Sequence, residues 1–166
     1  IGTPQQYERT QIGEMVFKAK YRGGQAEQMT IGNQLMEFIQ RHPRYKRAEY
    51  IGSVPRSSSI GWRKLADQLV THLASSLNKT RVVIDRIKPV TSQKDVSDEA
   101  ERYSRQERTM ICQGNLAGRS VILVDDMYGS GGSVNEAARA LRAAGAPEVL
   151  GLAATKTLKY TRGVSL

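Results

Sequence analysis

The sequence predicts an α/β domain: a mostly parallel sheet of about four or five strands with helices on both faces. Three observations carry that expectation. Short apolar runs alternate with helix-period stretches along the 166 residues, which is the order of βαβ units. One run, Val121-Ile122-Leu123-Val124, is apolar at every position, as a strand buried on both faces must be. The stretches between the runs carry apolar stripes at steps of three and four, the mark of a helix laid on a sheet.

The elements follow in order. Ile31, Leu35, Met36 and Ile39 recur at helical spacing and stop before His42-Pro43, which predicts a helix over 26–41. Tyr50 to Val54 is a short run closed by Pro55, a strand ending in a turn, with a loop from Pro55 to about Ile60. Trp62, Leu65, Leu69, Leu73 and Leu77 share one helical face, and Val82-Val83-Ile84 reads as the next strand. From Asp85 to about Thr109 charged and polar residues dominate and Pro89 interrupts, so a long mobile segment is expected there. Gly118-Arg119 turns into the strand 121–124, and a Gly-rich turn follows. Val134, Ala137, Ala138 and Leu141 then resume helical spacing up to Gly145 and Pro147. A last strand is expected over 148–154. No internal repeat is evident, and the whole of 1–166 reads as one domain.

Composition narrows the function classes. The chain carries 25 Lys plus Arg against 16 Asp plus Glu, a formal charge of +9, with 39% hydrophobic residues. Cys112 is the one cysteine, which excludes an internal disulfide and a multi-cysteine zinc site and fits a reducing, cytoplasmic compartment. No apolar run is long enough to suggest a membrane span. The opening IGTPQQYERT lacks the blocks of a signal peptide, and because it starts at Ile1, further sequence is expected upstream. The basic excess is spread along the chain. Its densest run, Arg41, Arg44, Lys46 and Arg47, follows an apolar-periodic stretch and is expected to be a solvated helix end, where cations are favoured. His42 and His72 have no metal-ligand spacing around them and are expected to be surface or core-edge residues.

The chemistry concentrates in VILVDDMYGSGGS, residues 121–133: a strand, two carboxylates, a Gly-rich turn and a helix start. Backbone N–H groups of Gly129, Gly131 and Gly132 can converge on a phosphate because no Cβ blocks the approach, and the helix N-terminus adds partial positive charge. Ser130 and Ser133 supply hydroxyl donors. Asp125 and Asp126, at a strand's carboxyl end where open sheets bind ligands, suit sugar hydroxyls or a hydrated Mg²⁺. Two familiar phosphate loops are excluded. The glycine spacing is not G-x-G-x-x-G, the preceding acids would repel a pyrophosphate, and no Gly-Lys-Ser/Thr is present.

This stretch resembles the phosphoribosyl-pyrophosphate (PRPP) signature of type I phosphoribosyltransferases. Other segments are similar to the ComF-like branch of that family: YIGSVPRSSS resembles its pyrophosphate-binding turn, RIKPVTSQKDVSDEAER its flexible segment, and ERTQIGEMVFKAKYRGG the segment before its first helix. The resemblance implies roles. Asp125 and Asp126 would hold the ribose hydroxyls and, through water, Mg²⁺. Gly129, Ser130, Gly131, Gly132 and Ser133 would wrap the 5′-phosphate. Pro55, Arg56 and Ser57 would take the pyrophosphate, and Arg86, Lys88, Thr91, Gln93, Lys94, Glu101 and Arg102 belong to the flexible segment. The branch's Cys-rich zinc module has no counterpart here, so no zinc or DNA role carries over from it.

There are departures. Where many members have Thr-Thr or Asp-Thr, this chain has Gly129-Ser130, which argues against the base-assisting Asp of purine salvage. Few residues remain between the last strand and Leu166, so a separate hood over a nucleobase is not expected; Tyr128, Lys156 and Tyr160 are the candidates for a base pocket. Two readings result. One is a Mg²⁺-dependent phosphoribosyltransferase that displaces pyrophosphate from PRPP with a nitrogen acceptor. The other is a non-catalytic domain that senses PRPP or a nucleotide, or binds single-stranded DNA or a DNA-processing protein, in DNA uptake, recombination or processing.

Overall fold

The computed structural model describes residues 9–55, 65–87 and 108–157. Helix α1 (Gln11–Tyr21) opens the chain, capped by the Thr10 hydroxyl, which accepts from the Gly13 amide at 3.2 Å. It lies within the stretch expected to precede the first helix. Ile12, Met15, Val16 and Ala19 form its apolar stripe at steps of three and four, a signal diluted by Glu14, Lys18 and Lys20 between them. Helix α2 (Gln25–Arg41) buries Ile31, Leu35 and Ile39 as its periodicity requires, and the His42 amide closes it on the Phe38 carbonyl. A short α3 (Pro43–Arg47) starts on the proline, whose missing N–H costs nothing at a helix start. The basic run is therefore shared between two helices; Arg41 pairs with Glu37, and Arg44 with Glu148 at 2.7 Å.

Strand β1 (Tyr50–Ser53) leads through the described part of α4 (Leu65–Leu77) to β2 (Thr80–Arg81). The strand expected at 82–84 divides there. The Val82 amide still donates to the Ile51 carbonyl at 2.9 Å, but Val83 is 60% exposed. The chain then leaves the parallel sheet to form β3 (Ile84–Arg86), antiparallel to β4 (Met110–Cys112). Gly52 permits this departure, since a Cβ there would lie 2.8 Å from Val82 Cγ1 and 3.0 Å from its carbonyl oxygen. Strand β5 (Ser120–Tyr128) extends beyond the expected Val124 because β6 (Glu148–Lys156) pairs with it in parallel from Ser120↔Glu148 to Tyr128↔Lys156. Helix α5 (Gly132–Ala143) joins the two.

The main sheet is parallel throughout, in the order β2-β1-β5-β6. Its two faces hold separate cores. Ile122 and Val124 face Val16, Ile31, Leu35, Leu69 and Leu73 from α1, α2 and α4. Val121 and Leu123 face Met110, Ala137, Ala140 and Leu141 from β4 and α5. Each inward side chain of β5 removes about 1.5–3 kcal/mol of apolar exposure, which fixes the strand's register and with it the direction of the two acids that follow.

Candidate functional site

The connection from β1 runs through α4 on one face of the sheet, and the connection from β5 runs through α5 on the other. Crossovers that diverge in this way leave a crevice outside the carboxyl ends of the two neighbouring strands. That crevice holds the candidate site. The Val54 amide donates to the Val124 carbonyl at 2.9 Å, so Val54-Pro55 lies directly beside Asp125 and Asp126.

The two carboxylates have different surroundings. Side chains alternate along a strand, so Asp126 follows Val124 onto the face of α1, α2 and α4, while Asp125 follows Leu123 onto the face of α5. Lys20 of α1 reaches Asp126, with Nζ 3.0 Å from Oδ1 and 2.8 Å from Oδ2. Asp125 accepts a hydrogen bond from the Asp126 amide at 2.9 Å. Burial, then the charge of Asp126, pushes the Asp125 carboxyl up to about 6, against the pull of the Asp126 amide, Lys20 and the Met127 amide.

Beyond Tyr128 the chain turns through Gly129 and Ser130 into α5. Gly131, at the helix N-cap, has φ +83°, a conformation that a side chain would strain. Among the described residues no side chain caps this end of α5, and the amides of a helix's first turn favour an anion. A Cβ on Gly129 would meet nothing within 4 Å, Gly132 is buried, and Ser130 and Ser133 are half-buried. Helix α5 is fastened from below. The buried Glu136 carboxylate accepts from the Met110 amide at 3.0 Å and from Arg139 Nε at 2.8 Å, and Arg139 donates to the Met110 carbonyl at 2.7 Å. Burial alone would raise the Glu136 carboxyl; the Arg139 and Met110 hydrogen bonds outweigh it and hold the group below its ordinary value.

Arg86 is fixed near the same crevice. From β3 its guanidinium donates to the Pro55 carbonyl at 3.1 Å and to Thr109 Oγ1 at 3.3 Å. Burial pushes its pKa down and the charge of Glu136 opposes that. Tyr128 and Lys156 meet across β5 and β6, with the ammonium 5.9 Å from the ring centroid. Arg56, Ser57, Lys88, Thr91, Gln93, Lys94, Glu101, Arg102 and Tyr160 lie outside the described residues, as does most of the segment expected at 85–109. His42 closes α2, and His72 packs over Gly32, whose Cβ would sit 2.8 Å from His72 Cδ2. A cavity of about 500 Å³ lies elsewhere, beside Tyr50 at the start of β1 and Arg81, Asp85 and Asn115. Among the described residues no group of three or more His, Cys, Asp or Glu side chains could hold a metal, and no helix is long and apolar enough to cross a membrane.

Sequence reasoning missed Lys20, Glu136 and Arg139. Lys20 is 106 residues from its partner, so no local pattern could pair them. Glu136 and Arg139 stand three apart on a helix, a spacing that joins side chains but does not reveal burial.

Comparison with known proteins bears on the fold and the family. No curated protein matches the sequence. Among solved structures, adenine phosphoribosyltransferase from Leishmania donovani superposes with a TM-score of 0.55 at 13% identity, over 82% of this chain and 55% of that one. The adenine phosphoribosyltransferase of Leishmania tarentolae gives 0.54 at 13% identity, over 84% and 71%. Phosphoribosylpyrophosphate synthetase from Mycobacterium smegmatis gives 0.49 at 20% identity, over 75% of this chain, which spans 33% of that protein's length. The phosphoribosyl transferase domain matches residues 54–155, more than half of the sequence and the part that contains the turn after β1, the acidic pair and the Gly-rich loop. The chain belongs to the phosphoribosyl transferase domain family.

Proposed function

We propose that this protein is a Mg²⁺-dependent phosphoribosyltransferase that binds PRPP and displaces its pyrophosphate with a nitrogen acceptor. The observation that carries the reading is the meeting, in one crevice, of an acidic pair, a helix N-terminus behind a Gly-rich turn, and the Val54-Pro55 turn. Asp125 and Asp126 accept from the ribose 2′- and 3′-hydroxyls. The turn from Gly129 to Ser133 donates its amides to the 5′-phosphate. Pro55, Arg56 and Ser57 receive the pyrophosphate, with Arg86 behind Pro55. The segment containing Lys88, Thr91, Gln93, Lys94 and Arg102 screens the reacting C1′ from water. As pyrophosphate leaves, an oxocarbenium-like centre develops at C1′ and the acceptor nitrogen attacks it.

The residues present fit Mg²⁺. Asp125 and Asp126, adjacent hard carboxylates at the carboxyl end of β5, suit an ion that prefers oxygen ligands and keeps several of its waters. Bound there through water by Asp125 and Asp126, it supplies charge neutralisation for the leaving pyrophosphate. A single domain over 1–166 working in the cytoplasm completes the reading. The test is ³¹P NMR of PRPP with the protein, Mg²⁺ and a panel of nitrogen acceptors. Acceptor-dependent release of pyrophosphate is expected; no release with any acceptor argues against turnover.

The +9 charge, with Arg44, Lys46 and Arg47 together in α3, favours a second reading, a ComF-like domain that senses PRPP or a nucleotide, or binds single-stranded DNA or a DNA-processing protein. In that case single-stranded DNA binds without turnover and its affinity falls steeply with salt.

A further inference from the structure

The family match begins at residue 54, yet one of the two acids is held from outside it. Lys20 stands in the last turn of α1, with its side chain 25% exposed against 14% for Asp126, and its ammonium touches both carboxylate oxygens at 3.0 and 2.8 Å. We propose that Lys20 is a positioning residue of the ribose site: it orients Asp126 toward the sugar hydroxyls, so that α1, outside residues 54–155, completes the site. The inference rests on the reading of the crevice as a PRPP site.

Three considerations support a role beyond bracing the helix. Helix α1 has its own apolar anchors, the buried Val16 and Ala19, with Ile12 and Met15 packed beside them, so its docking does not depend on an ion pair. A lysine normally keeps its head in water, whereas this side chain is largely buried and its ammonium bonds a strand-end carboxylate. PRPP is a polyanion, and two carboxylates at its ribose would repel it; a fixed cation against one of them offsets that repulsion. The geometry leaves Asp126 competent. A carboxylate offers about four acceptor positions, and one ammonium does not exhaust them. Lys20 thereby fixes the direction of those that remain.

The experiment is calorimetric titration of the full chain with three probes: PRPP, ribose 5-phosphate and inorganic pyrophosphate. The proteins are the parent, Lys20→Met, and Lys18→Met as a control that removes the same charge from the same helix. Lys20→Met is expected to weaken PRPP and ribose 5-phosphate about tenfold, the value of one charge-assisted hydrogen bond, while pyrophosphate affinity stays within about twofold. Lys18→Met should match the parent. Undiminished ribose 5-phosphate binding by Lys20→Met, or an equal loss of all three ligands, overturns the inference. A parent that binds pyrophosphate but neither sugar phosphate overturns the underlying reading of the crevice instead.

Discussion

Replacing Asp125 with Asn should make the protein more stable at pH 8 and no more stable at pH 4. The folded protein raises the Asp125 carboxyl from 3.8 to about 6, chiefly by burial and then by the neighbouring Asp126. A raised carboxyl binds its proton more tightly in the folded state than in the unfolded one. Its contribution is therefore favourable below pH 3.8 and is lost as the pH rises through about 6. At about 1.4 kcal/mol per unit, a shift of this size corresponds to roughly 3 kcal/mol of strain above pH 6. Asparagine keeps an oxygen to accept the Asp126 amide and removes the charge, so a gain of about 1–3 kcal/mol is expected at pH 8. In a domain of this length that raises the melting temperature by about 2–12 °C. Urea unfolding of parent and variant at both pH values measures the difference. A variant less stable than the parent at pH 8, or a gain of the same size at pH 4, would refute the assignment of Asp125 as a buried, repelled carboxylate. The strain has a use in the proposed function, since binding the ribose hydroxyls relieves it.

Three further outcomes are expected. Glu136→Ala should cost about 2–4 kcal/mol in urea unfolding, because the Met110 amide and Arg139 lose their shared acceptor; this carboxyl is held low, so its contribution is present at neutral pH and declines as pH falls through its folded pKa. Gly52→Ala should cost about 1–3 kcal/mol by pushing Val82 out of the sheet, seen as a lower melting temperature. Arg86→Met should weaken pyrophosphate about tenfold and ribose 5-phosphate little, because the guanidinium supports the Pro55 carbonyl, in the turn proposed to take pyrophosphate; equal loss of both ligands in calorimetry would count against that division.

Much of the fold was legible because burial on two faces leaves a blunt pattern. The four consecutive apolar residues of β5 and the stripe of α4 needed no context to be read. The acidic pair and its glycines were legible for the opposite reason: that order of residue types serves few structural purposes. What escaped was set by contacts distant in sequence. Strand β4 is three residues long, too short for any period, and exists because β3 turns back to pair with it. The division of the strand expected at 82–84 depends on Gly52, thirty residues earlier, giving Val82 room. Strand β5 outran its apolar core because its pairing with β6 continues through the acids to Tyr128. Helix α1 was readable in principle from Ile12, Met15, Val16 and Ala19, but its partnership with Asp126 was not.

The central claim is that the crevice at the ends of β1 and β5 is a PRPP site. Calorimetric titration of PRPP, with and without Mg²⁺, into the parent and into an Asp125→Asn, Asp126→Asn double variant tests it most directly. Micromolar, Mg²⁺-dependent binding that the double variant loses while staying folded is the predicted result. No binding by the parent, or equal binding by both proteins, would contradict it.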